Sequence, residues 1–452
     1  MVRILKILNI VLVSAVFSAG WFLYYVRQVS VTFTTVSGWL LPALFLVLYV
    51  LFARIYEGFS VSLYRISEIV GSQLLATALA DAILCLVIGI LMQRFPNLPV
   101  LLLLFVIQSV VIAAWSTLVH QWYFKTFPPK RSAIVYDSRA GMEELIGEYG
   151  LEKKFQILWT APVEECLRDH HMLDGLEVVF LSDLHIRERN VILKYCILKG
   201  ISVYTIPRIG DVIMSGAKRT HLFHLPILSI GRYCATPEQA LLKRAFDIVV
   251  SAAALVCLSP ILLLTALAIK LCDGGPVFYK QNRLTLNGKV FQILKFRSMR
   301  TDAEKDGVAR LSMGERDTRV TAVGRVIRKV RIDELPQLLN VLKGDMAIVG
   351  PRPERPEIAA QYEKKLPEFR LRLQVKAGLT GYAQVYGKYN TTPYDKLQMD
   401  LMYIANPGIL NDLSICIATV KVLFLPESTE GFQTEQPAHI PEQTDRETVG
   451  ML

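Results

Sequence analysis

The chain has 452 residues, of which 52% are hydrophobic, and its mean hydropathy is +0.36. This composition is too apolar for an ordinary soluble enzyme, and one hydrophobic core is not expected to serve the whole length. The formal net charge of +10 suits anionic partners, which include nucleic acid, anionic lipid and phosphorylated substrates. The seven cysteines are scattered without a CxxC pair, which favours a reducing compartment and excludes a disulfide framework.

Four apolar segments in the first 125 residues are long enough to cross a bilayer as helices. They are roughly Ile4–Tyr25, Val36–Phe52, Gln73–Met92 and Val100–Val119. Basic residues concentrate before the first segment, between the second and third, and after the fourth. The positive-inside rule therefore predicts a transmembrane domain, residues 1–125, with both ends in the cytoplasm.

One acidic residue, Asp81, lies inside the third predicted span, where a charge is costly and often functional. No basic residue in these spans offers a partner, and the spans lack the polar density of a transport pathway. We therefore interpret Asp81 as a buried packing residue and the bundle as an anchor or a partner surface.

The segment 126–235 alternates short apolar runs with polar helical stretches. The runs are Ala133–Tyr136, Phe155–Leu158, Val178–Leu181 and Ile201–Ile206. This βαβ rhythm predicts a parallel sheet and a Rossmann-like cytoplasmic domain. No G-x-G-x-x-G fingerprint follows the first strand, so a regulatory or structural role is favoured over a dinucleotide site.

A second apolar region, residues 246–271, is long enough to span the membrane but contains Ser259-Pro260 at its middle. Proline removes a helical hydrogen bond and clashes with the preceding turn, and the serine hydroxyl can bond a carbonyl that the proline frees. Lys243 and Arg244 before the region and Lys270 at its end favour keeping both ends in the cytoplasm. We therefore predict a re-entrant helix that breaks at Ser259-Pro260, with a kinked fifth span as the alternative.

The region from Lys295 to Arg331 is strongly basic, with eleven Lys or Arg against five Asp or Glu, a net +6. It leads directly into the paired acids Asp333 and Glu334. A cationic surface beside two carboxylates suits phosphoryl transfer, because the bases hold phosphate oxygens and a carboxylate acts as a nucleophile or a metal ligand.

From Lys243 to about residue 425 the chain closely resembles the bacterial sugar transferases, which are monotopic polyprenyl-phosphate phosphoglycosyl transferases. The matching motifs, in order, are Lys243-Arg244-Ala245-Phe246-Asp247, Ser259-Pro260, Gly275-Pro276-Val277-Phe278, Lys295-Phe296-Arg297-Ser298-Met299, Arg331-Ile332-Asp333-Glu334-Leu335-Pro336-Gln337, Asn340-Val341-Leu342-Lys343-Gly344-Asp345-Met346, Gly350-Pro351-Arg352-Pro353 and Gly378-Leu379-Thr380-Gly381-Tyr382-Ala383-Gln384-Val385. Four N-terminal spans and a middle α/β domain are similar to the larger family members, which initiate exopolysaccharide or O-antigen repeat units.

The resemblance implies a two-step reaction with Asp333 as the nucleophile. Asp333 would attack the β-phosphorus of a UDP-sugar and expel UMP, and the phosphosugar would then pass to undecaprenyl phosphate. Covalent catalysis divides one displacement between two anions into two easier steps. Mg²⁺, bound by Asp333 and Glu334 together with phosphate oxygens, would mask the negative charge, and Glu334 would either ligate the metal or assist the acceptor.

The resemblance also implies phosphate-binding side chains. Arg328 matches the family's phosphate-clamping arginine, and Arg352, held between two prolines, is a second candidate. Lys295 and Arg297 are further candidates for the same pocket. The role of Arg331 is left open, because small residues also occupy that place in the family. The seven histidines form no cluster, which gives no support to imidazole catalysis.

The remaining C-terminal sequence predicts elements near the pocket and the membrane surface. The stretch 386–390 reads as a loop that either contacts the sugar or is merely packed. Tyr403 to Phe424, interrupted at Asn406-Pro407-Gly408, predicts amphipathic helices. The catalytic domain is therefore predicted over residues 236–425 as a mostly helical unit, and the acidic tail 426–452 is predicted to be disordered.

Together these features predict a multi-pass protein of the bacterial inner membrane with its catalytic domain on the cytoplasmic face. We expect contact with membrane lipids, a possible homodimer and no nucleic-acid partner. A membrane scaffold or nucleotide-sensing regulator of polysaccharide assembly is the alternative function. A nucleotide-sugar dehydratase is disfavoured by the missing glycine fingerprint. Glucose, galactose and N-acetylated sugars are all compatible with the motifs.

Overall fold

A computed structural model describes residues 2–29, 37–137, 141–300, 319–387 and 391–424. The chain divides into two compact units, Met1–Ile206 and Pro207–Leu452. The second unit thus begins before residue 236, where the sequence predicted the start of the catalytic domain. The predicted acidic tail, residues 301–318 of the basic region and part of the loop 386–390 lie outside the described residues.

The first unit opens with apolar helices that match the four predicted spans. They are α1 (Val2–Gly20, continued by a π-helical turn Trp21–Tyr25), α2 (Leu40–Ile55), α3 (Ile66–Met92) and α4 (Leu98–Thr126). By length and composition α1 with its π turn, α3 and α4 are able to cross a membrane. The 16 residues of α2 extend only about 24 Å, which is less than a typical hydrocarbon core.

A buried polar network joins three of these helices. The Tyr49 hydroxyl donates to Asn9 Oδ1 at 2.7 Å, and Asn9 Nδ2 donates to Gln73 Oε1 at 3.2 Å. Gln73 Nε2 in turn donates to the carbonyl of Gly58 at 2.7 Å. Asp81 of α3 lies beside Gln108 of α4. Polar pairs of this kind fix how apolar helices register against each other, because lipid supplies no alternative partner.

The rest of the first unit is the α/β domain that the sequence predicted. Its elements are β1 (Lys130–Tyr136), α5 (Met142–Glu148), β2 (Phe155–Pro162), α6 (Val163–Arg168), β3 (Val178–Ser182), α7 (Ile186–Lys199) and β4 (Ser202–Thr205). All strand pairs are parallel, in the order β2-β1-β3-β4, and every residue of β3 is buried. The predicted parallel sheet is confirmed.

The loop between α2 and α3 contacts this α/β domain. Arg65 Nη2 donates to the carbonyl of Glu148 at 3.0 Å, and Lys154 Nζ donates to Ser62 Oγ at 3.3 Å. The loop and the domain therefore lie on the same side of the bundle, as the distribution of basic residues predicted.

The second unit mixes helices with short strands. Its elements are α8 (Ile209–Ser215), β5 (Lys218–Leu222), β6 (Leu225–Ser229), α9 (Pro237–Asp273), β7 (Phe278–Leu284), β8 (Val290–Phe296), α10 (Ala322–Lys329), α11 (Gln337–Lys343), β9 (Ala347–Val349), α12 (Pro356–Lys365), β10 (Gly378–Thr380), α13 (Tyr382–Tyr386), α14 (Pro393–Ala405) and α15 (Ile409–Phe424). The strands form three two-stranded sheets, β5-β6, β7-β8 and β9-β10. The break predicted at Asn406–Gly408 separates α14 from α15.

Helix α9 is long and apolar enough to cross a membrane, and only 11% of its most apolar stretch is buried. The helix extends at both ends beyond the predicted range 246–271, and its helical backbone continues through Ser259-Pro260. The Ser259 hydroxyl donates to the carbonyl of Val256 at 2.8 Å. That carbonyl is the one that Pro260 cannot bond, so the predicted role of the serine is confirmed and explains why the helix continues. The predicted return of the chain to the same membrane face stays a prediction.

Candidate active site

The two adjacent acids lie in a single 3-10 turn, Ile332–Glu334, between α10 and α11. The turn begins at Arg331, which adopts a left-handed backbone conformation with φ 53°. This conformation reverses the chain directly after α10 and is favourable only for glycine among common residues. The left-handed backbone at Arg331 is therefore a physical reason why glycine is acceptable at this position.

Glu334 is held by two cations. Lys295 Nζ, at the end of β8, lies 2.8 Å from Glu334 Oε1, and Arg352 Nη2 lies 2.8 Å from the same oxygen. Burial raises the pKa of Glu334, but Arg352 and Lys295 outweigh burial and hold the pKa well below its usual range. Glu334 is therefore ionised, and its charge places the two cations beside the turn.

Asp333 is more buried than its neighbour, with 9% of its surface exposed. Burial, followed by the charge of Glu334, raises the pKa of Asp333, while Lys295, Arg328 and Arg352 act in the opposite direction. A carboxylate of raised pKa is a better nucleophile than an exposed one, provided that nearby cations keep it ionised. Lys295, Arg328 and Arg352 favour the ionised form of Asp333, but burial and the charge of Glu334 outweigh them.

A small pocket opens beside these groups. Its wall includes Arg283, Lys295 and Arg352 together with Glu334 and Gln337. Three cations on one wall suit a ligand with several negative oxygens, such as a diphosphate.

A family match lies within this same unit. A family model described as "Bacterial sugar transferase" matches residues 238–426. The UDP-glucose:undecaprenyl-phosphate glucose-1-phosphate transferase of Caulobacter vibrioides is 42% identical over 191 residues, which are 41% of this chain and 71% of that protein. The exopolysaccharide production protein PSS of Rhizobium leguminosarum is 43% identical over 188 residues, 40% of this chain and 93% of that protein. The chain belongs to the bacterial sugar transferase family.

Another relative extends the similarity only slightly. The UDP-N-acetylgalactosamine-undecaprenyl-phosphate N-acetylgalactosaminephosphotransferase of Aeromonas hydrophila is 39% identical over 231 residues, 50% of this chain and 53% of that protein. The chain thus matches about half the length of this larger relative. The shared sugar transferase region contains every site residue predicted above.

The fold of this sugar transferase places the predicted site residues in two groups. Glu334, Lys295 and Arg352 line the pocket, and Asp333 precedes Glu334 in the same turn. Arg328 contributes charge to Asp333 while its Nε donates to Ser298 Oγ at 2.9 Å. Arg297, in contrast, is 7% exposed and packs so closely over Gly275 that a side chain there would collide with its guanidinium. Ser259 and Pro260 belong to α9, as described above.

Three charged residues near the pocket were missed by the sequence reasoning. They are Arg283 on β7, Arg372 in the 3-10 segment Pro367–Gln374 and Asp400 on α14. Asp400 carried a detectable signal, because it shares a buried helical face with Leu397, Leu401 and Ile404. An acid at an apolar position of an amphipathic helix indicates a buried charged partner.

The carboxylates that would hold a magnesium ion are those of Asp333 and Glu334. Within the described ranges, no group of three or more His, Cys, Asp or Glu side chains is placed to hold a metal ion. Mg²⁺ usually takes one or two carboxylates and completes its shell with water and substrate phosphates, so Asp333 and Glu334 are a sufficient donor set. Because Glu334 Oε1 already contacts Lys295 and Arg352, its other oxygen is the one available to a metal.

Proposed function

We propose that this protein transfers a hexose-1-phosphate from a UDP-sugar to undecaprenyl phosphate and so initiates exopolysaccharide, capsule or O-antigen repeat synthesis. The activities after which the Caulobacter and Aeromonas relatives are named support the donor and acceptor classes. The observation that carries the proposal is the buried Asp333, surrounded by the charges of Lys295, Arg328 and Arg352.

In the first step an oxygen of the Asp333 carboxylate forms a bond to the β-phosphorus of the donor. The bond from that phosphorus to the bridging oxygen breaks, and UMP leaves with the bridging oxygen. The cations on the pocket wall hold the phosphate oxygens and stabilise the charge that develops on the leaving group. The product of this step is a phosphosugar ester of Asp333.

In the second step a phosphate oxygen of undecaprenyl phosphate attacks the same phosphorus. The bond to Asp333 breaks, the carboxylate is regenerated, and a polyprenyl diphosphate sugar is released. Glu334 keeps Lys295 and Arg352 beside the reacting phosphate in both steps. When Mg²⁺ is bound by Asp333 and Glu334, it supplies further charge neutralisation for the diphosphate.

The contacts of α9 support placing both of its ends on the face of the membrane where Asp333 lies. Near its start, Lys243 Nζ donates to the carbonyl of Val349 at 3.1 Å. Near its end, Ile269 packs in a cluster with Phe296 and Ile327. Because both ends contact one domain, we propose that α9 enters the bilayer and returns, which brings a water-soluble donor and a lipid acceptor to one site.

The test is release of UMP from UDP-glucose by the full-length protein in the presence of undecaprenyl phosphate and Mg²⁺. We expect Asp333→Asn to abolish turnover, whereas the exposed Glu357→Gln on α12 serves as a matched acid control and retains it. Without acceptor, the native protein should release UMP in proportion to enzyme and gain the mass of a hexose phosphate on Asp333. Unchanged turnover in Asp333→Asn would remove the proposed nucleophile.

The identity of the sugar is addressed by the same assay with a panel of donors. UDP-glucose, UDP-galactose and the two UDP-N-acetylhexosamines differ at C2 and C4 of the sugar ring and carry the same diphosphate. The charged wall of the pocket binds the diphosphate, which all four donors share, so this wall does not select the sugar. The preferred donor therefore reports on the pocket residues that contact the sugar ring.

A further inference from the structure

The loop that carries Arg352 is held through its carbonyl groups. Four consecutive carbonyls each accept one hydrogen bond. The backbone N–H of Gly378 donates to the carbonyl of Pro351 (2.9 Å), and that of Leu284 donates to the carbonyl of Glu354 (3.0 Å). Arg372 Nη2 donates to the carbonyl of Arg352 (2.9 Å), and Arg283 Nη1 donates to the carbonyl of Pro353 (3.0 Å). Two of the four donors are therefore arginine side chains rather than backbone groups.

The sequence of the loop makes these carbonyl contacts important. Pro351 and Pro353 have no N–H group, so the backbone on either side of Arg352 cannot be fixed by donating hydrogen bonds. The side chain of Arg352 is 45% exposed where it meets Glu334, so packing alone restrains it weakly. Glu334 holds the guanidinium of Arg352 directly, whereas Arg372 fixes the carbonyl of Arg352 and so the backbone position from which that side chain extends.

Arg372 is itself buried, with 5% of its side chain exposed. Its Nη2 lies 2.7 Å from Asp400 Oδ2, and the Asp400 side chain is 2% exposed. Its Nη1 lies 3.8 Å from Glu354 Oε1, and its guanidinium stacks 4.8 Å from the centre of the Phe369 ring. The nitrogen that binds the Arg352 carbonyl is therefore the one that Asp400 holds in place.

Such a buried pair is a poor source of stability, because the cost of removing two charges from water offsets most of their attraction. Burial raises the pKa of Asp400 to about 6, although Arg372 acts in the opposite direction. An apolar pair of similar volume would fill the same space at less cost. Such an apolar pair would lack the hydrogen bond that Arg372 donates to the carbonyl of Arg352.

We propose that Arg372 and Asp400 form a positioning pair, which holds the carbonyl of Arg352 so that its guanidinium faces Glu334 and the diphosphate pocket. The proposal rests on the proposed function, because the position of Arg352 matters if the pocket binds a nucleotide diphosphate. Neither Arg372 nor Asp400 touches the substrate, and both act through Arg352.

The decisive experiment is a double-mutant cycle between Arg372→Met and Arg352→Ala in the full-length protein. A displacement of about 1 Å at a binding group lowers rates by roughly 100-fold, so we expect Arg372→Met alone to reduce kcat/KM for UDP-glucose about 10- to 100-fold. In the Arg352→Ala background the same change should cost less than about threefold, since the residue that it positions is gone. The exposed Arg370→Met in the same segment is the matched control and should leave both backgrounds unchanged.

A second measurement separates this proposal from the function on which it rests. The Kd of UDP, measured for the same variants, should show the same non-additivity between Arg372 and Arg352. If the native protein binds UDP with that coupling but releases no UMP from any donor, the proposed function fails and the positioning pair stands. Equal losses from Arg372→Met in both backgrounds would mean a general structural role and would overturn the proposal.

Asp400→Asn provides a variant that keeps the volume of the buried site in case Arg372→Met does not fold. The amide removes the charge that holds Arg372 but leaves the packing of α14 intact, so a partial loss of kcat/KM is expected. That loss should again disappear in the Arg352→Ala background. An additive loss with Asp400→Asn also contradicts the proposal.

Discussion

At the residue scale, the site depends on two adjacent carboxyl groups with different electrostatic surroundings. Glu334 is tied to Lys295 and Arg352, which lower its pKa, whereas burial and the charge of Glu334 raise the pKa of Asp333. Neighbouring acids of opposite shift are a common basis for dividing roles between a reacting group and a stabilising group. The difference follows from burial and charge, not from residue type.

This difference predicts a pH effect. If ionised Asp333 is the active form, kcat/KM falls at low pH as Asp333 takes up a proton. Glu334→Gln removes a negative charge that raises the pKa of Asp333, and it frees Lys295 and Arg352 to act on Asp333 alone. We therefore expect roughly 100-fold lower activity, with the acid limb of the remaining activity shifted to lower pH.

The pH–rate profile of Glu334→Asp is the control, because this variant keeps the charge. Its acid limb should stay close to that of the native protein. An acid limb that moves to higher pH in Glu334→Gln would contradict the assignment of Asp333 as the titrating nucleophile.

Arg331 supports a second prediction, which concerns stability. Because its φ is 53°, glycine should be favourable there and a β-branched residue unfavourable. We expect Arg331→Gly to raise the thermal midpoint in detergent by up to about 2–4 °C and Arg331→Val to lower it. Arg325→Gly, at an exposed position within α10, is the control and should lower the midpoint because glycine weakens a helix interior. A lower midpoint for Arg331→Gly than for Arg331→Val would refute the conformational explanation.

The sequence predicts Asp333, Glu334 and Arg352 as site residues but not the residues behind them. Asp333 and Glu334 are adjacent in the chain, so their carboxyl groups share one turn, and Arg352 lies in a short motif of its own. Arg283, Arg372 and Asp400 are far apart along the chain, and only the fold brings them to the Arg352 loop. In the sequence, such long-range pairs are visible at most as an acidic residue on the apolar face of a helix, as with Asp400.

At the element scale, periodicity predicted the strands of the α/β domain and the helices of the bundle. It was less informative for α9, where proline indicated an interruption and the structure shows a continuous helix. The reason is local, since the Ser259 hydroxyl bonds the carbonyl that Pro260 leaves free. Pro260 weakens one turn of α9, and the hydrogen bond from the neighbouring Ser259 hydroxyl compensates for the backbone hydrogen bond that is lost there.

Three native cysteines test whether α9 returns to the same face. Cys234 precedes the helix, Cys257 lies at its middle and Cys272 lies at its end, and all three are exposed. In single-cysteine variants in inverted membrane vesicles, we expect a membrane-impermeant maleimide to label Cys234 and Cys272. Cys257 should be protected by lipid and serves as the internal control.

A spanning helix predicts a different pattern. Cys234 would then react in inverted vesicles while Cys272 reacted only in vesicles of the opposite orientation. That result would place the two ends of α9 on opposite faces and would contradict the re-entrant arrangement.

At the scale of the whole molecule, the two compact units differ in how far the family similarity reaches. The Rhizobium relative is matched over 93% of its own length by 40% of this chain, so the sugar transferase region corresponds to nearly a whole protein there. In the second unit, α9 and the charged pocket belong to one set of packed elements. The unit therefore contains both the membrane helix and the site that the proposed reaction needs.

We accordingly expect residues 207–452, produced alone in membranes, to release UMP from UDP-glucose within about tenfold of the full-length rate, since a domain with its own core folds independently. Asp333→Asn in the truncated protein is the control and should remove this activity. The first unit would then contribute location, assembly or regulation, and its α/β domain becomes the place to seek an effector. A truncated protein that is folded and membrane-bound yet inactive would instead show that the bundle or the parallel sheet completes the catalytic site, a dependence that the contacts within the second unit do not predict.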